Sequence, residues 1–167
     1  MNIQSRTRTA WLGLAAETCA ASLRALDQIL ADSLALRDLY KKHHWQATGP
    51  TFRMLHALFD AHHGAQAEAV DALAERVMTL GGTPVALAHD VAAKTRIPRA
   101  PAHREAPEDQ LRRLLEAHEL VLGLARAAAR SAAEAGDEGT ADLLVGQVVR
   151  PGEMQVWVLR EHLNGGC

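Results

Sequence analysis

The chain has 167 residues, 23% of them charged, and a formal net charge of −2, so its length is that of one folded domain. The near-neutral charge excludes a protein that binds nucleic acid or anionic membranes through its overall charge, because phosphate binding needs clustered Lys and Arg. Aromatic residues make up only 4% of the chain, while Ala and Leu dominate, which predicts an all-α protein.

The two cysteines and the N-terminal sequence indicate the cellular compartment. Cys19 and Cys167 lie far apart, which does not suggest a disulfide framework, and Cys19 falls on an inward-facing position of its predicted helix. The apolar stretch 10–16 is too short for a signal peptide, and no segment is long enough to span a bilayer. We therefore expect a cytoplasmic protein with one domain over residues 1–167 and short tails at 1–9 and 164–167.

The first half of the chain predicts two long helices. From about Ala10 to Ala47, apolar residues recur at helical spacing with no proline. Gly49-Pro50 ends this helix, and Thr51 is a plausible N-cap for a second helix of about 30 residues that stops at Gly81-Gly82.

The second half predicts a crossover followed by two more helices. Residues 83–107 contain three prolines after Pro84 and read as a connection with at most a short helix. Helical patterns resume over 108–135 and 140–163, and Pro151-Gly152 should kink or locally break the last helix. Two long hairpins joined by a long connection between helices two and three are typical of a ferritin-like four-helix bundle.

Five residues have the chemistry of iron ligands: His44 near the end of the first predicted helix, and His56, Asp60, Asp71 and Glu75 on the second. Imidazole and carboxylate together suit iron. With His56 at 0°, the other three of the second helix fall at about 40°, 60° and 100°, so the four form one stripe.

One helix cannot bring this stripe around a single metal ion, because Asp60 and Asp71 lie roughly 16 Å apart along its axis. If two copies of the helix pack antiparallel about a two-fold axis, His56 and Asp60 of one chain come opposite Asp71 and Glu75 of the other. His44 lies on the face of Leu26, Leu30 and Tyr40, which we expect to face the same interface. The pattern therefore predicts a site shared between two subunits.

These residues sit in a run that resembles the signature of Dps-type miniferritins: His44-Trp45, Gly49, Phe52, Leu55-His56, Phe59-Asp60, Asp71, Ala74-Glu75-Arg76 and Leu80-Gly81-Gly82. Similarity to the family's fourth helix continues through residues 140–144 and 157–159, and the match is weakest at Arg150-Pro151-Gly152. The resemblance implies that His44, His56, Asp60, Asp71 and Glu75 are ferroxidase ligands split between subunits. It also implies a twelve-subunit shell that stores the oxidised iron, hydrogen peroxide as the favoured oxidant, and protection of DNA during stress. No methionine of the second helix suggests haem.

Several residues have two readings. Trp45 is either an interface anchor or, as the family resemblance implies, an aromatic near the iron that intercepts oxidising equivalents. Asp137, Glu138 and Asp142 either favour a helix start through the helix dipole or line an acidic pore through which iron enters. We expect the remaining histidines to be surface or packing residues: His43, His62, His63, His89, His103, His118 and His162.

A structural, DNA-compacting protein is the alternative from a different class, since some Dps relatives bind DNA through Lys-rich tails. The N-terminal tail here offers only Arg6 and Arg8, the chain has three lysines (Lys41, Lys42 and Lys94), and the C-terminal tail is uncharged. DNA binding is therefore weakly supported. Iron oxidation is the function that the ligand set favours.

Overall fold

Long amphipathic helices account for most of the architecture. The computed structural model describes residues 12–164, in which no β-strand occurs. The helices are α1 (Ala16–Gln46), α2 (Phe52–Thr79), α3 (Ala88–Lys94), α4 (Pro107–Glu134), α5 (Glu138–Leu143) and α6 (Arg150–Asn164), with a π-helical segment (Leu144–Val149) between α5 and α6. The predicted all-α class is confirmed.

The first helix starts later than predicted, at Ala16 rather than near Ala10. Gly13 has a φ of +71°, a left-handed conformation that a continuous helix does not contain. The predictions made for the tails, including Arg6, Arg8 and Cys167, fall outside the described residues.

The turn between α1 and α2 and the C-terminal end of α2 lie where they were predicted. Thr51 is the N-cap of α2, although its side chain makes no capping hydrogen bond. At the other end of α2, Gly81 has a φ of +86°, and Gly82 packs so closely that an added Cβ would lie 2.5 Å from Leu23 Cδ2. The double glycine therefore both ends α2 and lets the chain turn across α1.

The crossover contains one short helix, α3, as predicted, and a buried carboxylate attaches it to α1. Asp32 is fully buried and accepts hydrogen bonds from the Thr95 hydroxyl (2.9 Å) and the Arg96 backbone N–H (2.7 Å). Burying a carboxylate is costly unless it is paired, so these bonds fix the path of the crossover along the bundle.

The helix predicted over 140–163 starts two residues earlier, at Glu138 in α5, because Asp137 is its N-cap and accepts from the Thr140 backbone N–H at 3.0 Å. Pro151 does not interrupt the helix; the local disturbance is the π-helical segment that precedes it. Proline has no N–H to donate to the carbonyl of Gln147, which lies in that segment. Gly152 is buried against Leu122 of α4.

The core lies between α1, α2, α4 and the α5–α6 segment, and Leu and Ala fill it. α1 and α4 run antiparallel, since Ser22 contacts Asp137 at one end and Tyr40 contacts His118 nearer the other. Cys19 is a buried thiol, as predicted. Among the helices of residues 12–164, none is both long enough and apolar enough to cross a membrane.

Candidate metal centre

Two histidines face each other across the α1–α2 hairpin. The rings of His44 and His56 stack with their centroids 3.7 Å apart. His44 Nδ1 lies 2.8 Å from the His56 carbonyl oxygen, and His56 Nδ1 lies 2.9 Å from the His44 carbonyl oxygen. Since a carbonyl oxygen can only accept, each Nδ1 is the donor. In the neutral rings both Nε2 atoms therefore keep a free lone pair, which is the state that a metal ion requires.

Asp60 follows His56 by one turn of α2 and is exposed. Its Oδ1 accepts from Lys41 Nζ at 2.7 Å and lies 3.8 Å from His44 Nδ1. The hydrogen bond from the Lys41 ammonium is the main reason that the pKa of Asp60 lies below its ordinary value. Lys41 belongs to this surface, and the sequence analysis did not identify it there. A metal ion that bound Asp60 would have to share this carboxylate with the Lys41 ammonium or displace it.

Asp71 and Glu75 are also exposed on α2, but they lie roughly 16 Å and more from Asp60 along the helix axis. Within residues 12–164, no group of three or more His, Cys, Asp or Glu residues is arranged to hold a metal ion. A single chain thus brings His44 and His56 together with Asp60 beside them, and leaves Asp71 and Glu75 apart.

His44 was assigned to a subunit interface because it shares a helix face with Leu26, Leu30 and Tyr40, and that argument is wrong. Leu26, Leu30 and Tyr40 are fully buried and line the interior of the bundle rather than a subunit interface. His44 lies at the edge of this interior, with 13% of its side chain exposed, and the contact with His56 is what turns it toward α2.

The surface beside the histidine pair is aromatic. Trp45 is 71% exposed and Phe52 is 43% exposed, and the Phe52 ring lies 5.1 Å from that of His56. Large exposed aromatic side chains next to polar groups are typical of subunit interfaces. Both readings of Trp45 remain predictions.

The three acidic residues predicted at a pore have different surroundings. Asp137 is 1% exposed and accepts from Arg76 Nη2 (2.6 Å) and the Ser22 hydroxyl (2.6 Å). Burial alone would raise the pKa of Asp137, but these hydrogen bonds and the Arg76 charge hold it below its ordinary value. These contacts and its position as the N-cap of α5 agree with the interpretation of Asp137 as a helix-start residue, and its role in a pore remains a prediction. Glu138 and Asp142 are exposed, and their role in a pore remains a prediction.

Three further histidines are buried in the bundle interior, and two of them join α1, α2 and α4 through Tyr40. The Tyr40 hydroxyl lies 2.7 Å from His118 Nε2 and 3.2 Å from His62 Nδ1. Burial lowers the pKa of His118 to about 3 and that of His62 to about 4. His43 is also buried, its pKa is lowered to about 4 by burial, and both of its ring nitrogens lack a partner within residues 12–164. These residues were expected to be packing residues, but sequence analysis missed the network around Tyr40.

The lysines offer little free positive charge. Each forms an ion pair within the described chain: Lys41 with Asp60, Lys42 with Glu105 at 3.8 Å, and Lys94 with Asp27.

Comparison with known proteins identifies the family. A family model described as a ferritin-like domain matches residues 23–166. The DNA protection during starvation protein 2 of Bacillus anthracis is 30% identical over 142 residues, which cover 85% of this chain and 96% of that protein.

Solved structures agree with this match. DpsC from Streptomyces coelicolor has 47% sequence identity and a TM-score of 0.90, covering 91% of this chain and 88% of its own. The Dps protein of Vibrio cholerae O1, described as a member of a broad superfamily of ferritin-like diiron-carboxylate proteins, has 26% identity and a TM-score of 0.88, covering 96% and 99%. The chain belongs to the Dps family of ferritin-like proteins.

Proposed function

We propose that this protein oxidises ferrous iron at sites shared between two subunits and stores the ferric product inside a homo-oligomeric shell, thereby protecting DNA from iron-driven oxidative damage. The observation that carries this proposal is the His44–His56 pair, in which both Nδ1 atoms are held by carbonyl oxygens and neither Nε2 atom has a hydrogen-bond partner within residues 12–164. A metal-binding histidine commonly donates its other ring nitrogen in this way.

The two-fold pairing of α2 supports a shared site through its register. In an antiparallel pair, the register that sets His56 opposite the partner's Glu75 also sets Asp60 opposite the partner's Asp71, because both pairs are centred between residues 65 and 66. Gly64 then lies opposite the partner's Ala67, where the helices approach most closely. A Cβ on Gly64 would have no atom within 4 Å in one chain, so the space beside it is free for a second helix.

The roles of the ligands follow from their charges. His44, His56 and the partner's Glu75 would bind the first ferrous ion, and Asp60 with the partner's Asp71 would complete the site or hold a second, weaker ion. The Lys41 ammonium on Asp60 supports a weaker second position, because a cation already occupies that carboxylate. Iron is a substrate here, and the ligands orient it and balance its charge as it is oxidised.

Family membership supports the finer parts of the proposal without testing them: a shell of twelve subunits, hydrogen peroxide as the oxidant, and a cytoplasmic location. Direct DNA compaction is a less favoured function. Each of the three lysines is held in an ion pair, so none of them is left free to bind phosphate groups.

Mixing two inactive variants tests the shared site. We expect His56→Ala/Asp60→Ala and Asp71→Ala/Glu75→Ala each to lose fast ferrous oxidation while their shells still assemble. Mixed dimers should regain one intact site of two, so a random mixture should recover about a quarter of the sites. Stopped-flow absorbance of the ferric product measures this recovery.

The matched control is His89→Ala/Asp90→Ala, which removes an exposed imidazole and carboxylate from α3 and should keep full activity. Fast oxidation in either double variant alone, or no recovery in mixed shells of normal size, would contradict a shared site.

A further inference from the structure

The crossover is attached to the bundle at two points. At the first, the Thr95 hydroxyl donates to the buried carboxylate of Asp32 on α1, at 2.9 Å. At the second, the buried carboxylate of Glu105 accepts from Arg113 of α4, at 2.9 Å from Nε and 2.6 Å from Nη2. Residues 97–104 connect the two points without forming a helix, so their path over α1 is fixed at both ends.

A cavity of about 720 Å³ lies between α1 and the crossover, and its size is that of a small-molecule site. Its walls are the second half of α1, one side of α3 and residues 97–100. Alanine occupies five of the lining positions, so no long side chain fills the space there. Proline fixes φ, so the wall at Pro98 has limited freedom to move inward and close the cavity. The larger apolar side chains that line it are Leu34, Leu39, Val91 and Ile97.

The charged side chains of this cavity are mainly cationic. Arg37, Lys42 and Arg99 line it together with a single acidic residue, Asp38. Asp38 is paired with Arg37 at 2.8 Å, and Lys42 lies 3.8 Å from Glu105. Arg99 is exposed and forms no ion pair within residues 12–164. A complementary occupant therefore has an anionic group for the guanidinium and an apolar part for the walls.

A straight-chain carboxylate meets both needs. A guanidinium can donate two parallel hydrogen bonds to a carboxylate, and an alkyl chain needs no polar partner from the walls. The α1 wall from Leu34 to Lys42 is roughly 12 Å long, which an extended chain of medium length covers. A nucleotide would instead place polar groups against Leu34 and Val91 without hydrogen-bond partners, which is costly.

We propose that this cavity binds a medium-chain fatty acid, with the carboxylate at Arg99 and the alkyl chain along α1. The site is separate from the candidate iron ligands and does not depend on iron. Both ends of the crossover hold the cavity open before the acid arrives, so binding requires little rearrangement of the chain.

Isothermal titration calorimetry of the assembled protein with sodium hexanoate, octanoate and decanoate tests the site. The affinity should rise about fourfold with each added methylene until the chain fills the cavity, because each methylene removes a similar apolar area from water. 1-Octanol has the alkyl chain of octanoate without its charge and should bind several-fold more weakly.

Two substitutions test where the acid lies. Arg99→Gln should weaken decanoate binding by about fivefold, the upper range for an exposed ion pair. Arg104→Gln is the matched control, because Arg104 is another exposed arginine of the crossover, and it should leave the affinity unchanged.

Ala35→Leu extends a side chain from the α1 wall into the cavity and should lower the affinity roughly tenfold. Ala133→Leu, at an exposed alanine of α4, is the control for this change and should have no effect. Circular dichroism and shell size establish that each variant is folded and assembled.

The opposite results would overturn the proposal. No binding of decanoate to the assembled protein would do so, whether a neighbouring subunit covers the cavity or water fills it. Decanoate that binds Arg99→Gln and Ala35→Leu as tightly as the wild-type protein would lie elsewhere. Equal affinities for octanol and octanoate would mean that the cavity does not recognise an anion. None of these outcomes affects the proposal of iron oxidation.

Discussion

The two histidine groups of this protein use the same side chain in opposite ways. At the hairpin, His44 and His56 each donate a hydrogen bond from Nδ1 to a carbonyl oxygen, and each Nε2 remains available at a partly exposed edge. In the interior, the Nε2 of His118 is paired with the Tyr40 hydroxyl, and burial keeps the ring neutral.

What a histidine can do is therefore decided by which ring nitrogen remains unused and by what can reach it. The hairpin pair is partly exposed and, in the function proposed here, needs a second chain to complete its metal site. The interior group is complete within one chain and is closed to solvent. Changes at the α2 surface should affect only the first group, and changes in the core should affect mainly the second.

The largest expected effect comes from separating two copies of α2. Gly64→Leu places a side chain where a second helix would approach, while a single chain has room for it. We expect the two-fold dimer to weaken and ferrous oxidation to fall about 100-fold, since small displacements of reacting groups have effects of that size. Analytical ultracentrifugation and stopped-flow absorbance measure both.

Gly123→Leu is the matched control, because Gly123 is an exposed glycine within α4 that also has no atom within 4 Å of an added Cβ. Both substitutions should stabilise their helix by about 0.5–1 kcal/mol. Normal assembly and activity in Gly64→Leu would show that the hairpin histidines do not depend on this α2 contact.

A smaller effect should follow from removing the cation at Asp60. Lys41→Met frees the Asp60 carboxylate and takes away a positive charge that repels the metal, so anaerobic ferrous binding should tighten by roughly fivefold. Isothermal titration calorimetry measures the change. Lys94→Met removes a lysine from a comparable surface pair with Asp27 and should leave the affinity unchanged. Unaltered affinity in Lys41→Met would mean that iron does not use Asp60.

The smallest expected effect is on how the free energy of unfolding depends on pH, through the buried His118. The pKa of His118 is about 3 in the folded chain, whereas imidazole in the unfolded chain titrates near 6.5. His118 gains its proton first in the unfolded state, so its contribution to the free energy of unfolding is greatest above pH 6.5 and decreases as the pH falls toward 3.

His118→Gln should remove this dependence, reducing the slope between pH 6 and 5 by about 1 kcal/mol per pH unit. Guanidinium titrations at fixed protein concentration measure it. His103→Gln, at an exposed histidine of the crossover, should leave the slope as it is. An unchanged slope in His118→Gln would mean that His118 is already protonated in the folded protein.

The long helices and the crossover could be predicted from the sequence because local signals fix them. Pro84, Gly81-Gly82 and helical periodicity mark the ends of α2 without any knowledge of the rest of the chain. Asp137 also had a local signal, since an acidic residue three positions before Thr140 is a typical N-cap. The helix-start interpretation given for Asp137 rests on that signal.

The network around Tyr40 could not be predicted in the same way, because its members lie on three helices and meet only when the helices pack. The available signal was a polar side chain on the apolar stripe of a helix: Tyr40 in line with Leu26 and Leu30, and His118 near Leu114 and Val121. A buried hydroxyl needs a partner, but helical periodicity does not say which residue provides it. The Lys41–Asp60 contact could not be predicted either, because Lys41 and Asp60 meet only when α1 packs against α2.

The reciprocal bonds of His44 and His56 also restrict how this protein can change over evolution. Each imidazole is oriented by the main chain of the opposite helix. The length of the connecting turn, residues 47–51, therefore fixes how the two histidines align. An insertion there would shift one helix past the other and misalign both rings at once, even with every ligand retained. Homologous chains that keep the histidines should therefore vary in length in the crossover and the tails, and not in this turn.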